Sequence, residues 1–170
     1  MKKKDMDDAN DEPNIKKSGL KKSKTEVEHQ RNDAMLCSRI VQMMHDENTH
    51  MPTLRKEIRE LYDCNVADRN GMTLLHHAAK LGYSRLIMYL ITRNANPQLK
   101  DGINRTPLMY AILSGDLSSV ELLMKFEYDV HETDAINNSL FVLAYWMEMH
   151  ELASRFVREG ADDRGLLKGN

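Results

Sequence analysis

One seven-residue segment and its two copies decide how this chain folds. Residues 73–79 read TLLHHAA, residues 106–112 read TPLMYAI and residues 139–145 read SLFVLAY, so the copies begin at equal intervals, at Thr73, Thr106 and Ser139. Other positions keep the same register without a gap, namely Asp68, Asp101 and Asp134; Gly82 and Gly115; Asn96, Asp129 and Asp162. A fixed period of this length is typical of an array of stacked repeats.

The local sequence of one period predicts two helices joined by turns. Asn70-Gly71 is a turn signal, because both residue types tolerate positive φ. The Thr73 hydroxyl is expected to cap a short helix that ends at Gly82, and Asn94 is expected to end the second helix in a left-handed conformation. That second helix carries apolar residues at helical spacing, Leu86, Ile87, Leu90 and Ile91. Helices this short are unstable alone, so the units must stack.

This unit resembles the ankyrin repeat, in which a turn is followed by Thr-Pro-Leu-His-x-Ala and two antiparallel helices. Residues 68–100 and 101–133 keep the pattern, and residues 134–164 diverge as a C-terminal capping repeat does. The resemblance implies an all-α solenoid of helix-turn-helix units with short β-turn loops. It also implies that His76 joins neighbouring repeats by hydrogen bonds. Structural roles are implied for six residues in all, namely Thr73, His76, Gly82, Thr106, Gly115 and Gly160.

Departures from the pattern lie at both ends of the array and at one turn. Residues 33–67 contain two candidate helices, at 34–44 and 53–61, and are interpreted as a degenerate N-terminal capping repeat. Glu127 stands where the pattern has glycine, so we expect a strained left-handed residue there, at a cost of about 1 kcal/mol.

The two ends of the chain are predicted to be tails. Residues 1–32 are rich in Lys and Asp and too poor in apolar residues to fold, so they are interpreted as disordered. They contain two basic clusters, at 16–17 and 21–24. These clusters are compatible with a nuclear-import signal, with an electrostatic contact or with a tail that is merely solvated. Residues 165–170 are interpreted as a second tail.

Composition narrows the class of protein. The 170 residues are 41% hydrophobic with a formal net charge of -2, which argues against a dedicated nucleic-acid binder. No run is apolar enough for a membrane helix or a secretion signal, so we expect a cytosolic or nuclear protein. Cys37 and Cys64 are expected to be buried free thiols in such a compartment.

The sequence shows no pattern that indicates catalysis. His76 and His77 are adjacent and point in different directions on a helix, so they do not form a simple metal pair. His45, Asp46, Glu47 and His50 are close enough in sequence to be considered as a metal site, but nothing in the sequence orders them. Phosphate-loop, nucleophile-elbow and zinc-hydrolase motifs are absent. We therefore predict a non-enzyme with no metal, cofactor or small-molecule substrate.

The resemblance implies that a protein partner binds the concave side of the array, built from loop tips and first helices. By position this surface comprises Arg69, Asn70, Met72, Lys80, Leu81, Ile103, Arg105, Leu113, Ser114, Ile136, Asn138, Trp146 and Met147. Its apolar members suggest a contiguous hydrophobic stripe edged by charge. For Trp146 and Met147 the alternative is a capping core under the C-terminal tail.

These observations leave several functions open. The leading interpretation is a protein-interaction module, monomeric on its own, that acts as an adaptor or regulatory subunit. A regulator of a protein kinase of the cell-cycle type, or of a transcription factor, fits by fold analogy. A nucleic-acid or membrane tether working through the lysine-rich tail is an alternative of another class.

Overall fold

The computed structural model describes residues 23–161, which form four stacked helical hairpins. The helices are α1 (Lys24–His45), α2 (Met51–Arg59), α3 (Leu74–Lys80), α4 (Ser84–Thr92), α5 (Pro107–Ser114), α6 (Leu117–Leu123), α7 (Leu140–Trp146) and α8 (His150–Arg158). First helices pack on one another in order, α1 on α3, α3 on α5 and α5 on α7. Within this part of the chain the β pairing is a single bridge between Thr133 and Ser139. The predicted all-α repeat architecture is confirmed.

One hydrophobic core runs through all four hairpins. Ala78, Ala111 and Ala144 occupy the same repeat position on successive first helices and are completely buried. A methyl side chain at this position lets neighbouring first helices approach closely. Each hairpin adds larger side chains with no exposed surface, among them Ile58, Leu90, Ile112 and Phe156. The stack is therefore stabilised mainly by apolar contacts between neighbours.

The first helix begins earlier than the sequence predicted. Residues 23–32 were assigned to a disordered tail, yet α1 starts at Lys24 and is 22 residues long. The Ser23 hydroxyl accepts the Glu26 N–H, and the Glu26 carboxylate accepts the Ser23 N–H, which forms a capping box. The assignment was wrong for these residues. Residues 1–22 and 165–170, the rest of the predicted tails, lie outside the described part of the chain.

Contacts far along the sequence hold the added turns of α1 in place. The buried Asp33 carboxylate accepts the Tyr62 N–H at 3.1 Å and the Asp63 N–H at 3.0 Å. The His29 ring stacks on Tyr62 with ring centroids 4.9 Å apart. These groups join α1 to the segment after α2, which a local reading of composition cannot detect.

The strained turn lies at a different residue from the predicted one. Gly82, Gly115 and Glu148 occupy equivalent repeat positions and all have positive φ, at 66°, 73° and 57°. Asn94 is left-handed as expected, with φ 62°, whereas Glu127 is not among the residues with positive φ. Because α6 ends at Leu123, short of the register set by the end of α4, Glu127 does not occupy a helix stop. The prediction for Glu127 was wrong, and Glu148 carries the strain.

Candidate protein-binding surface

Three loops project from the helices at the start of successive repeats, and we call them fingers. The first, second and third fingers are residues 68–72, 101–105 and 134–138. In each finger the leading aspartate carboxylate accepts two backbone N–H groups, at distances between 2.8 and 3.1 Å. The pairs of donors are Asn70 and Met72, Ile103 and Arg105, and Ile136 and Asn138. Each aspartate therefore closes its own turn with its side chain.

Main-chain hydrogen bonds join the fingers into one row. The Gly102 N–H donates to the Asn70 carbonyl at 2.8 Å, and the Ala135 N–H donates to the Ile103 carbonyl at 2.9 Å. A Cβ on Gly71 would meet the Gly102 nitrogen at 2.7 Å, so the two fingers touch through backbone. Close approach without side chains makes the row rigid.

Several residues that were predicted to contact a partner are exposed on the fingers and on the first helices. Ile136, Trp146, Ile103 and Met147 have 72%, 56%, 45% and 36% of their surface exposed. Arg69, Asn70 and Lys80 are also exposed. Because Trp146 is more than half exposed, it does not belong to the C-terminal core formed within residues 23–161. The last residues, which the capping alternative invoked, lie beyond the described range.

Met72 and Asn138 were predicted to contact a partner, and the structure contradicts both predictions. Each has 7% of its surface exposed. Met72 joins the core, and the Asn138 side-chain amide donates to the Asp134 carboxylate at 3.1 Å. Arg105, in register with them, is half-buried and donates from Nε and Nη2 to Asp134 at 3.0 and 2.8 Å. The last residue of each finger is thus held by the fold.

The predicted stripe is interrupted at the helix positions. Leu81 and Leu113 are half-buried and pack against the core. The Ser114 hydroxyl, also half-buried, donates to the Ala111 carbonyl at 2.8 Å. The exposed apolar residues of the predicted stripe therefore form two groups, one at the tips of the second and third fingers and one at the end of α7. The Met147 methyl group lies against Gly115 at the end of α5.

His76 links two repeats. Its Nδ1 accepts the Thr73 N–H at 3.1 Å, and Nε2 lies 3.0 Å from the Arg105 carbonyl of the next repeat. This pattern requires a neutral ring with the proton on Nε2, and burial lowers the pKa of His76. Thr73 is the N-cap of α3 as predicted and forms a capping box with His76, and its hydroxyl also lies 2.9 Å from the same Nδ1. At the equivalent position in the next repeat stands Met109, fully buried.

The remaining reactive groups serve the fold. Burial raises the pKa of the Cys37 thiol to about 12, so it stays protonated and weakly nucleophilic at neutral pH. Asp46, considered as a metal ligand, accepts the Asn48 N–H and the Thr49 hydroxyl. In the described residues no three His, Cys, Asp or Glu side chains are placed to hold one metal ion.

A cleft of about 680 Å³ between α1 and the first finger was not predicted. Its α1 wall includes Ala34, Met35 and Val41, and the opposite wall includes Arg69 and Met72. The spacing of Val27, Ala34 and Val41 along α1 is a signal that could have revealed an apolar face beside the buried one. The composition of the segment, which suggested a tail, obscured it.

Comparison with known proteins assigns the family. A family match to ankyrin repeats in three copies covers residues 38–134, more than half of the chain. The chain belongs to the ankyrin-repeat family. Ankyrin repeats are a non-catalytic interaction fold. No helix between residues 23 and 161 has the length and apolar content needed to cross a membrane.

Relatives of this ankyrin-repeat chain are much longer proteins. It is 38% identical to palmitoyltransferase ZDHHC17 of Homo sapiens over 76 residues, which is 44% of this chain and 12% of that protein. It is 30% identical to protein glp-1 of Caenorhabditis elegans over 94 residues, or 55% of this chain and 7% of that protein. The chain spans less than a fifth of the curated relatives it matches. The palmitoyltransferases match through their ankyrin regions.

Proposed function

We propose that this chain is an adaptor or regulatory subunit that binds a partner protein through the finger tips and the end of α7. The observation that carries the proposal is the exposure of Ile103, Ile136, Trp146 and Met147 on one rigid support. Large apolar side chains held in water favour association, because a partner that covers them removes that surface from solvent.

The rigidity of the support favours binding. Main-chain bonds fix the spacing of Ile103 and Ile136 before a partner arrives, so little conformational entropy is lost on association. Trp146 is the only tryptophan of the chain and is placed to act as an anchor. Side chains of this type, once buried at an interface, commonly contribute about 2 kcal/mol or more.

Free positive charge on this surface lies at its N-terminal end. Arg69 and Lys80 are exposed at the N-terminal end. Arg105, in the middle of the surface, forms an ion pair with Asp134 at 2.8 Å, so its charge is less available to a partner than those of Arg69 and Lys80. A partner whose surface is acidic opposite the first finger and apolar opposite α7 fits this arrangement.

The test is capture with the full chain as bait, followed by quantitative mass spectrometry. We expect Ile136→Arg combined with Trp146→Ala to lose the proteins that the unchanged chain retains. Both residues are exposed, so the helical content measured by circular dichroism should stay the same. Leu117→Arg is the matched control, because Leu117 is a 52% exposed apolar residue on a second helix. Equal capture by the double variant would contradict the proposal.

The identity of the captured proteins distinguishes the more specific functions from one another. Regulation of a protein kinase and regulation of a transcription factor place the same demand on this surface, so the class of captured protein distinguishes them. A tether through the lysine-rich N-terminal residues makes a different demand. Binding by such a tether should fall steeply between about 50 and 200 mM salt, whereas binding to an apolar surface should change little.

A further inference from the structure

The row of fingers has an open edge at its N-terminal end. Arg69, Gly102 and Ala135 occupy the same position in the first, second and third fingers. The N–H groups of Gly102 and Ala135 donate to the preceding finger. Arg69 has no preceding finger, and none of residues 23–161 accepts a hydrogen bond from its N–H. By this register the Arg69 N–H points into the space between the first finger and α1.

That space is the cleft of about 680 Å³, and its walls are largely apolar. Met35, on α1, has 75% of its surface exposed, and Val41 is half-buried on the same helix. Met72 and Val66 face them from the side of the first finger. A methionine this exposed next to other apolar groups provides adaptable surface for an inserted side chain.

The α1 wall is held in place before any ligand enters. Asp33, next to the cleft residue Ala34, accepts the Tyr62 and Asp63 N–H groups and fixes α1 against the end of α2. These bonds favour a preformed cleft at the N-terminal hairpin, in which α1 takes the place that a finger has in later repeats.

One arginine lines the cleft and a second lies close to it. Arg69 lines it, and Arg31 lies one helical turn before Met35, where its side chain is exposed. Asp68 also lines it, but its carboxylate is engaged by His77 Nε2 at 3.0 Å. An acidic residue that enters here meets the Arg69 guanidinium, and the exposed Arg31 lies one helical turn further along α1.

We propose that the cleft binds an extended, acidic segment of a partner protein, which continues the row of fingers. A carbonyl oxygen of the segment accepts the Arg69 N–H, and an apolar side chain enters between Met35 and the half-buried Val66. A neighbouring carboxylate contacts Arg69 or Arg31. This is strand addition at an exposed edge, in which the main chain supplies hydrogen bonds and a pocket supplies selectivity. The site shares Arg69 with the surface proposed above but does not include the tips of the second and third fingers or α7.

A random nonapeptide library displayed on phage is the probe for this site, with the full chain as target. We expect enrichment of peptides with an apolar residue flanked by Asp or Glu. Synthetic copies of these peptides should bind Met35→Glu at least about tenfold more weakly than the unchanged chain. Met88→Glu is the matched control, since Met88 is 57% exposed on α4, and it should bind normally. Ile136→Arg should also bind normally, which separates this site from the surface proposed above.

Amide exchange measured by NMR tests the hydrogen bond itself. In the free chain the Arg69 amide should exchange much faster than the amides of Gly102 and Ala135, which are hydrogen-bonded. A bound peptide should slow exchange at Arg69 and leave the other two unchanged. The proposal is overturned if no peptide is enriched, if Met35→Glu binds as well as the unchanged chain, or if basic peptides are selected. Self-association through Met35, seen by light scattering, would identify a second copy as the occupant and overturn it equally.

Discussion

Asp68, Asp101 and Asp134 show how one residue type fixes the shape of each repeat. Their spacing was visible in the sequence, and each carboxylate accepts the N–H groups two and four residues later. The second carboxylate oxygen varies in its partner. It meets His77 in the first finger and the Tyr110 hydroxyl at 2.7 Å in the second. Local turn chemistry is therefore regular, while the contacts to the helices depend on each repeat.

Glu148 should be replaceable with a gain in stability. Its φ of 57° lies in the left-handed region, where a side chain with a Cβ is strained and glycine is not. We expect Glu148→Gly to raise the free energy of unfolding in urea by about 1 kcal/mol. Glu151→Gly, inside α8 with ordinary helical geometry, is the control and should lower it by about 1 kcal/mol. Loss of stability in Glu148→Gly would show that the residue has another role.

His76 should make stability depend on pH. Burial holds the pKa of His76 below the value of about 6.5 that it has when unfolded. The neutral ring therefore stabilises the fold above about pH 6.5, and this contribution is lost as pH falls below it, because the unfolded chain binds the proton more readily. We expect the free energy of unfolding to drop between about pH 7.5 and pH 5.5.

The variant His76→Asn isolates this effect. It keeps an acceptor near Thr73 but loses the bond to Arg105, so it should be about 1–3 kcal/mol less stable at pH 7.5. Its stability should also change less with pH than that of the unchanged chain. Identical pH slopes in the two proteins would show that His76 is not the titrating group.

Helices of the repeats were predictable because their signals are local. Thr106-Pro107 and Gly115 mark the start and end of α5, and the constant period places the other helices by analogy. The N-terminal turns of α1 were missed because their stabilising partners lie near Tyr62, far along the chain. The period also predicted which residues lie in the fingers, but it did not predict that Met72 and Asn138 turn inward. Side-chain direction depends on the packing of neighbouring repeats.

Asp33 should control the N-terminal half of α1. We expect Asp33→Ala to cost about 1–3 kcal/mol, because the Tyr62 and Asp63 N–H groups lose their acceptor. Hydrogen–deuterium exchange should show faster exchange over residues 24–36 and little change in α5 and α7. Asn32→Ala, at an exposed neighbouring position, is the control. Unchanged exchange in Asp33→Ala would mean that the capping box alone holds this segment.

The contact between the first two fingers should be sensitive to one added methyl group. A Cβ on Gly102 would lie 2.9 Å from the Asn70 carbonyl oxygen, so Gly102→Ala must push the fingers apart. We expect a loss of about 1–3 kcal/mol in the free energy of unfolding. The Gly102 amide, protected from exchange in the unchanged chain, should exchange faster. A variant as stable as the parent would show that the fingers are less tightly joined than their geometry indicates.

At the scale of the whole molecule, the two ends of the array differ in what they offer a partner. The N-terminal end has a largely apolar cleft lined by Arg69, and the C-terminal end has exposed aromatic and aliphatic side chains. Between them the joined fingers keep a constant spacing. From the repeat register alone, Trp146 and Met147 could lie on this surface or in a capping core, and the structure shows both side chains exposed. The sequence did not locate the cleft, which exists only because α1 replaces a finger.

The most direct test uses the single indole N–H of the chain, which belongs to Trp146. In a spectrum of the ¹⁵N-labelled chain this group gives one resolved signal, and a captured partner is added without label. We expect the indole signal and the amides of Ile103 and Ile136 to shift or broaden, while those of Leu117 and Val157 stay in place. An unmoved indole signal, with changes confined to the second helices of the repeats, would contradict binding through the finger tips and α7.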